Sequence, residues 1–149
     1  MKRAVVLDAD LALVFSVDLT GKGSISWQKR LQAYSDADFA IVSEAIESAA
    51  ENLTIPSIPT EASNLMRHAR DPLKSELLAA MKNATSGSRE AYAPATAATR
   101  MPELQWLGLA DCAILALPDE QTALLTADKD LFAVAAGSGR HAVLFDSLR

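Results

Sequence analysis

The chain has 149 residues, half of them hydrophobic, and a formal net charge of −5. Its length predicts one domain over residues 1–149, large enough to bury a core without disulfides or a structural metal. The acidic balance argues against binding nucleic acid through an overall positive field, but it leaves local basic patches and metal-mediated binding open. No signal peptide or membrane span is predicted, because the longest early apolar run, residues 4–7, stops at Asp8.

The cysteine and histidine content does not predict a zinc site. Cys112 is the single cysteine and lies in an apolar stretch, so it is expected to pack in the core, and a reducing cytoplasm is the expected compartment. His68 and His141 are distant in sequence from Cys112 and from each other. Each is therefore expected at the surface or in packing, not as a metal ligand.

The first predicted element is a β-branched strand at residues 4–7, followed by Asp8, Asp10 and an apolar helix. Asp10 is a candidate cap for this helix, a role as consistent with the sequence as a chemical one. A glycine-containing loop is predicted over residues 18–26, without the spacing of a phosphate-binding motif. The basic, partly aromatic segment 27–34 suits a solvated face beside a packed Trp better than a nucleic-acid contact.

The middle of the chain begins with apolar residues at helical spacing. They predict a helix capped by Ser35 or Asp36 and ended by Asn52. A short strand is predicted over residues 53–58, where Pro56 favours an edge or a strand end.

A further helix is predicted from residue 60, directly after Pro59. This start puts Glu61 in the first helical turn, where its charge is favourable with the helix dipole. Helices are also predicted over residues 73–82 and 90–100, the second around Pro94.

An apolar helix is predicted in the second half of residues 107–117, with Asp111 in its first turn. A charge at the start of an otherwise buried helix needs a dipole, a partner or a metal to offset its desolvation. The last predicted elements are a strand at 122–126, a helix at 129–136 and a strand at 142–145. Such alternation of strands and helices predicts an α/β fold with a mostly parallel sheet covered on both faces.

Four acids occupy strand ends or the beginnings of helices in this scheme. Any one of them is explained by capping alone, and four independent helix-start acids remain the alternative explanation. In a parallel sheet, however, these junctions lie along one edge, so the carboxylates are expected within a few ångströms of a common centre. Scattered carboxylates would exclude this interpretation. The acids are Asp8, Glu61, Asp111 and Asp128.

Four carboxylates without a cysteine favour hard cations such as Mg²⁺ or Mn²⁺. Ions of this kind orient a water, lower its pKa and stabilise the charge that develops at phosphorus. The spacing of the acids therefore predicts metal-dependent phosphodiester chemistry.

The segments around these acids resemble the PIN-domain family, many of whose members are ribonuclease toxins of bacterial toxin–antitoxin pairs. The likeness spans nearly the whole chain, and the order and spacing of its motifs are more specific than any motif alone. The motifs are VVLDAD at residues 5–10, PTEASNL at 59–65, LGLADCA at 107–113, LTADKDL at 125–131 and, similar to the end of a longer PIN subgroup, VLFDSLR at 143–149.

This resemblance implies a three-layer α/β/α sandwich that cleaves RNA with Mg²⁺ or Mn²⁺. It also implies a protein antitoxin and a homodimer as partners. The residues that it assigns are Asp8, Glu61, Asp111 and Asp128 as metal-binding acids, Asp130 as a supplementary ligand and Thr126 as the support of the last acid.

Asp10 departs from the family pattern, which often has Asn at this place. The added negative charge would increase the demand for metal, replace an amide hydrogen bond or mark altered activity. Two other functions therefore stay open: a PIN-fold RNA- or protein-binding module with weakened catalysis, and a related metal-dependent DNA nuclease.

Overall fold

The computed structural model of the protein describes residues 3–21, 28–118 and 122–149. Their strands form one sheet in the order β3-β2-β1-β4-β5, and every pairing in it is parallel. Helices flank this sheet, so the predicted α/β fold is confirmed and is consistent with a three-layer α/β/α sandwich. The strands are β1 (Ala4–Leu7), β2 (Glu51–Thr54), β3 (Arg89–Glu90), β4 (Thr122–Thr126) and β5 (Ala142–Leu144).

Strand β1 lies at the centre of the sheet and is buried along its whole length. Its alternate side chains point to opposite faces, as the pleat of a strand requires. Two layers of helices pack against the sheet: α1 (Ala9–Thr20), α2 (Asp36–Ser48), α3 (Ser57–Met66), α4 (Leu73–Ser86), α5 (Ala95–Thr99), α6 (Leu104–Leu107), α7 (Leu109–Leu115) and α8 (Lys129–Gly137), with 3-10 helices at Lys29–Ala33 and Phe145–Leu148. Val5 and Leu7 pack into one apolar cluster with α1 to α4, whereas Val6 packs into a second cluster with α5, α7 and α8.

Several local predictions are confirmed. Ser35 caps α2 in a capping box with Asp38, and Asp128 caps α8. Cys112 is fully buried, as expected for a packing residue, and His68 and His141 lie at the surface. Within the described ranges, no helix combines the length and apolar character needed to cross a bilayer.

The predicted strand over residues 53–58 is wrong at its end. Strand β2 stops at Thr54, and α3 already begins at Ser57, directly behind Pro56. Proline suits this place because its ring sets a helical φ and the first helical turn needs no N–H donor from it. Glu61 consequently lies in the second turn of α3 and not in the first, so the dipole argument for its position does not apply.

Other predicted boundaries also move. Helix α2 ends at Ser48 and not at Asn52, which belongs to β2. The helix predicted over 90–100 is reduced to α5, because residues 89–90 pair with the sheet as β3. Helix α4 runs to Ser86, beyond the predicted residue 82.

The predicted loop at 18–26 begins later than expected. Residues 18–20 complete α1, and Gly21 forms its C-terminal cap with a φ of 70°. The remainder of that loop, and the predicted packing of Trp27, fall on residues 22–27, outside the described residues. At the other end of the chain, β5 stops at Leu144, and Phe145 begins a 3-10 helix.

Candidate functional site

An open polar cavity of about 210 Å³ lies where the chain leaves β1 and β4. All four acids that the sequence singled out line it, and Asp10 joins them; Asp130 is not among its lining residues. In parallel sheets this carboxyl edge is where ligands bind. The lining residues are Asp8, Ala9, Asp10, Arg30, Glu61, Leu107, Asp111 and Asp128.

Asp8 is held in a single orientation by three donors. Its Oδ1 accepts a hydrogen bond from the backbone N–H of Leu11 at 2.8 Å, which makes Asp8 the cap of α1. Its Oδ2 accepts from the hydroxyl of Thr126 and from the N–H of Ala127, the latter at 3.1 Å. The prediction that Asp10 caps this helix is therefore wrong, because Asp8 already receives the N–H that a cap must satisfy.

Thr126, the last residue of β4, connects the two strand ends. Its buried hydroxyl donates to Asp8 and accepts from the backbone N–H of Asp128 at 3.0 Å. The resemblance implied that this residue supports the last acid. Here it holds the backbone of Asp128 and bonds directly to the carboxylate of the first acid.

Asp128 begins α8 and lines the cavity. One of its carboxylate oxygens, Oδ1, accepts from the N–H groups of Asp130 at 2.8 Å and Leu131 at 3.2 Å. The cap therefore fixes the carboxylate while it faces the cavity. Asp130 is exposed, and its proposed role as a supplementary ligand stays a prediction.

Asp111 experiences the charge of the whole cluster. Its pKa is raised to about 7, chiefly by burial in the first turn of α7 and also by the negative charges of Asp8, Asp128, Glu61 and Asp10. These couplings connect four separate segments of the chain. A cation bound among these groups would offset this concentration of negative charge.

Asp8 also has a raised pKa, of about 6, and burial is again the largest cause. The side chain is only 4% exposed. Hydrogen bonds from Thr126 and from the N–H of Leu11 lower this pKa, while the charge of Asp10 raises it. The buried Asp8 and the half-buried Asp111 thus carry a free-energy cost when they ionise without a cation.

Arg30 is the cavity residue that the sequence analysis missed. Its Nη1 lies 2.9 Å from Oδ1 of Asp10 and 3.9 Å from Oε1 of Glu61. The expected solvated face is confirmed for Arg30, whose side chain is 50% exposed, but this side chain also lines the acidic cavity. The charge of its segment was the only sequence signal, because the acids it meets are distant along the chain.

The acids do not already form a metal-ligand cage. In the part of the chain that is described, no three His, Cys, Asp or Glu side chains have the arrangement of a metal site. The oxygens of Asp8 receive hydrogen bonds, and Asp10 and Glu61 lie beside Arg30. Side-chain rotation of Asp111 or Glu61, whose carboxylates are not held by caps, would be needed to complete a coordination shell.

The chemistry of the donors nevertheless fits a hard divalent cation. The acids of the lining supply carboxylate oxygens, and no Cys or His is among the described lining residues, so this donor set suits Mg²⁺ or Mn²⁺. The residues that would hold the ion are Asp8, Glu61, Asp111 and Asp128. Their role as ligands remains a prediction.

Comparison of the chain with models of known protein families, with curated proteins and with solved structures finds no match. The arguments for function therefore come from the fold, the cavity and the motifs of the sequence.

Proposed function

We propose that the protein is a divalent-metal-dependent endoribonuclease of the PIN type. The observation that carries this proposal is that four acids from four separate segments line one cavity at the carboxyl edge of a parallel sheet. Asp8 and Asp128 also cap their helices, but Glu61 and Asp111 do not, so capping does not explain why all four acids line the cavity. Their mutual influence on the pKa of Asp111 supports a shared site.

The residues of the cavity divide into a fixed part and an adjustable part. Asp8 and Asp128 are fixed by their caps and by Thr126, so they offer pre-oriented oxygens. Glu61 and Asp111 reach the cavity from α3 and α7. Among the described residues, no donor of a hydrogen bond to either carboxylate is found, and Glu61 has only the 3.9 Å ion pair with Arg30. A divalent ion held by this set would supply an activated water and stabilise charge on the scissile phosphate.

The biological role that we infer is that of a cytoplasmic toxin in a toxin–antitoxin pair. We also infer that the protein binds a protein antitoxin and forms a homodimer. The support for this role is the resemblance of the four acid-bearing motifs and of residues 143–149 to the PIN family. A small antitoxin-like reading frame beside the gene would support it independently.

A second candidate is a binding module of the same fold with weakened catalysis. The ion pairs of Arg30 with Asp10 and Glu61 favour it, because they occupy carboxylates at the site of the proposed chemistry. Such a protein would bind RNA or a protein partner without cleaving RNA.

Cleavage of single-stranded and structured RNA with Mn²⁺ tests the proposal. We expect Asp111→Asn and Glu61→Gln to lose activity on the order of 100-fold or more, since each removes a charged ligand. Glu44→Gln is the matched control, because it removes an exposed carboxylate from α2 outside the cavity and should retain full activity.

Asp8→Asn completes the series. Metal-dependent cleavage retained by both the Asp8 and the Asp111 variants would contradict the nuclease assignment. RNA binding without cleavage by the wild type in either Mg²⁺ or Mn²⁺ would favour the binding module. Cleavage of DNA flaps in preference to RNA would identify a related DNA nuclease.

A further inference from the structure

We propose that Arg30 is an internal counter-ion that competes with the divalent cation for the acidic cavity. This inference rests on the proposed function, since it assumes that the cavity acids bind a metal. It gives Arg30 the role of a positioning residue that sets how much metal the protein needs.

The geometry of the ion pairs supports this role. The Nη1 atom of Arg30 lies 2.9 Å from Asp10, at hydrogen-bond distance, and 3.9 Å from Glu61. The pair with Asp10 is the closer one, so Glu61 can turn toward a cation while Arg30 stays attached to Asp10. Asp10, the departure from the family pattern, thus acquires a function as the anchor of this arginine.

The charges of the cavity explain why such a counter-ion is useful. Asp8, Asp10, Glu61, Asp111 and Asp128 face one another, and Arg30 is the one basic residue among the described lining residues. Its positive charge offsets part of their repulsion. A divalent cation entering the same space must overcome repulsion from the guanidinium and release Glu61 from it.

The backbone that carries Arg30 is anchored, although its side chain is half-exposed. Leu31, the next residue, is fully buried in the apolar cluster that includes α1 and α2. The carbonyl of Ala33 accepts a hydrogen bond from Arg149 at 2.7 Å. Arg30 therefore has a fixed point of attachment, which keeps its guanidinium within reach of Asp10 at the cavity.

A titration with Mn²⁺ at low ionic strength tests the inference without reference to activity. The electron paramagnetic resonance signal of the free ion measures how much Mn²⁺ is bound. We expect Arg30→Gln to bind Mn²⁺ about 2–5-fold more tightly than the wild type, given the strength of partly exposed ion pairs. Arg30→Lys, which keeps the charge, should bind Mn²⁺ with nearly the affinity of the wild type. The difference between Arg30→Gln and the wild type should shrink at high salt.

Lys29→Gln is the matched control. It removes the same charge one position away, from an exposed side chain that does not line the cavity, and should change the affinity less than about 2-fold. A comparable gain in affinity for both variants would show a general charge effect and overturn the role of Arg30.

Equal or weaker Mn²⁺ binding by Arg30→Gln, with clear binding by the wild type, would overturn this inference and leave the proposed function intact. Failure of the wild type to bind Mn²⁺ would overturn the proposed metal site and this inference together. The two failures are therefore distinguishable in one experiment.

Discussion

Thr126 is the residue that most directly connects the fold to the candidate site. Its hydroxyl is buried between the carboxylate of Asp8 and the backbone of Asp128. It thereby connects the carboxyl ends of β1 and β4, which these two acids follow. A threonine here serves as both donor and acceptor, which neither valine nor alanine can do. The two acids are therefore oriented by one group.

Replacement of Thr126 by valine keeps the shape and removes both hydrogen bonds. We expect a loss of about 1–3 kcal/mol in the free energy of unfolding, because the Asp8 carboxylate and the N–H of Asp128 lose a buried partner. The pKa of Asp8 should rise further, since the bond from Thr126 lowers it. Urea denaturation and a carboxyl NMR titration measure the two effects.

Thr122→Val is the control, because it makes the same chemical change at a buried position of the same strand, away from the cavity. An equal loss of stability in both variants would contradict a special role for the Thr126 hydroxyl.

The raised pKa of Asp111 makes a prediction about pH. Folding raises its pKa from 3.8 to about 7, so between these values the folded state binds more protons than the unfolded chain. The free energy of unfolding of the metal-free protein should consequently fall as the pH rises from about 4 to 7, and Asp8 contributes in the same direction.

Asp111→Asn should reduce this dependence. At pH 8 we expect the variant to be more stable than the wild type by about 1–2 kcal/mol, a value discounted for the partial exposure of the group. At pH 4, where Asp111 is protonated in the folded protein, the difference should nearly vanish. Urea denaturation in EDTA at both pH values measures it; a variant less stable than the wild type at pH 8 would contradict the prediction.

At the scale of elements, Arg149 joins α2 and the two 3-10 helices, one of which carries the cavity residue Arg30. Arg149 donates to the carboxylate of Asp38 in α2 at 3.0 and 2.8 Å and to the carbonyl of Ala33 at 2.7 Å. Its guanidinium also lies 5.6 Å from the ring centroid of Tyr34 and 5.3 Å from that of Phe145. The 3-10 helix that carries Arg30 is held in place by these contacts.

Arg149→Ala should cost about 1–3 kcal/mol, because Asp38 would keep a buried carboxylate without its partner. The pKa of Asp38, which the hydrogen bonds from Arg149 now lower, should rise. Arg89→Ala breaks the exposed pair with Glu51 and should cost much less stability than Arg149→Ala, because solvent screens that pair. Equal losses of stability in the two variants would contradict a stabilising role for the Arg149 contacts.

At the scale of the molecule, the parallel sheet brings the acids together. Strands β1 and β4 are neighbours, so Asp8 and Asp128 follow adjacent strand ends. Helices α3 and α7, which contact each other, supply Glu61 and Asp111. The cavity consequently depends on how these helices are placed relative to the sheet, and a ligand bound there would stabilise the whole fold.

Metal binding should therefore raise the melting temperature. Mn²⁺ at about 100 times its dissociation constant contributes about 2.7 kcal/mol, which corresponds to roughly 5–10 °C for a chain of this size. The rise should be larger at pH 8 than at pH 5, because protons compete for Asp8 and Asp111. Differential scanning calorimetry measures the shift, with Glu44→Gln as the control. An equal shift in Asp111→Asn would contradict binding at this cavity.

The sequence by itself determined the features that depend on neighbouring residues. The alternation of strands and helices predicted the parallel α/β sheet, and local cap signals predicted the roles of Ser35 and Asp128. The four acids were identifiable because each lies near a strand end or a helix start. Capping and periodicity act over a few residues, so they can be read from the chain.

Only the tertiary structure decided which residues meet. The bond between Thr126 and Asp8 spans 118 positions, and the pair of Arg30 with Asp10 spans 20. No local pattern encodes such contacts, because they depend on how the helical layers pack on the sheet. Glu61 likewise reaches the cavity through the packing of α3, although it lies in the second turn of that helix and not in the predicted first turn.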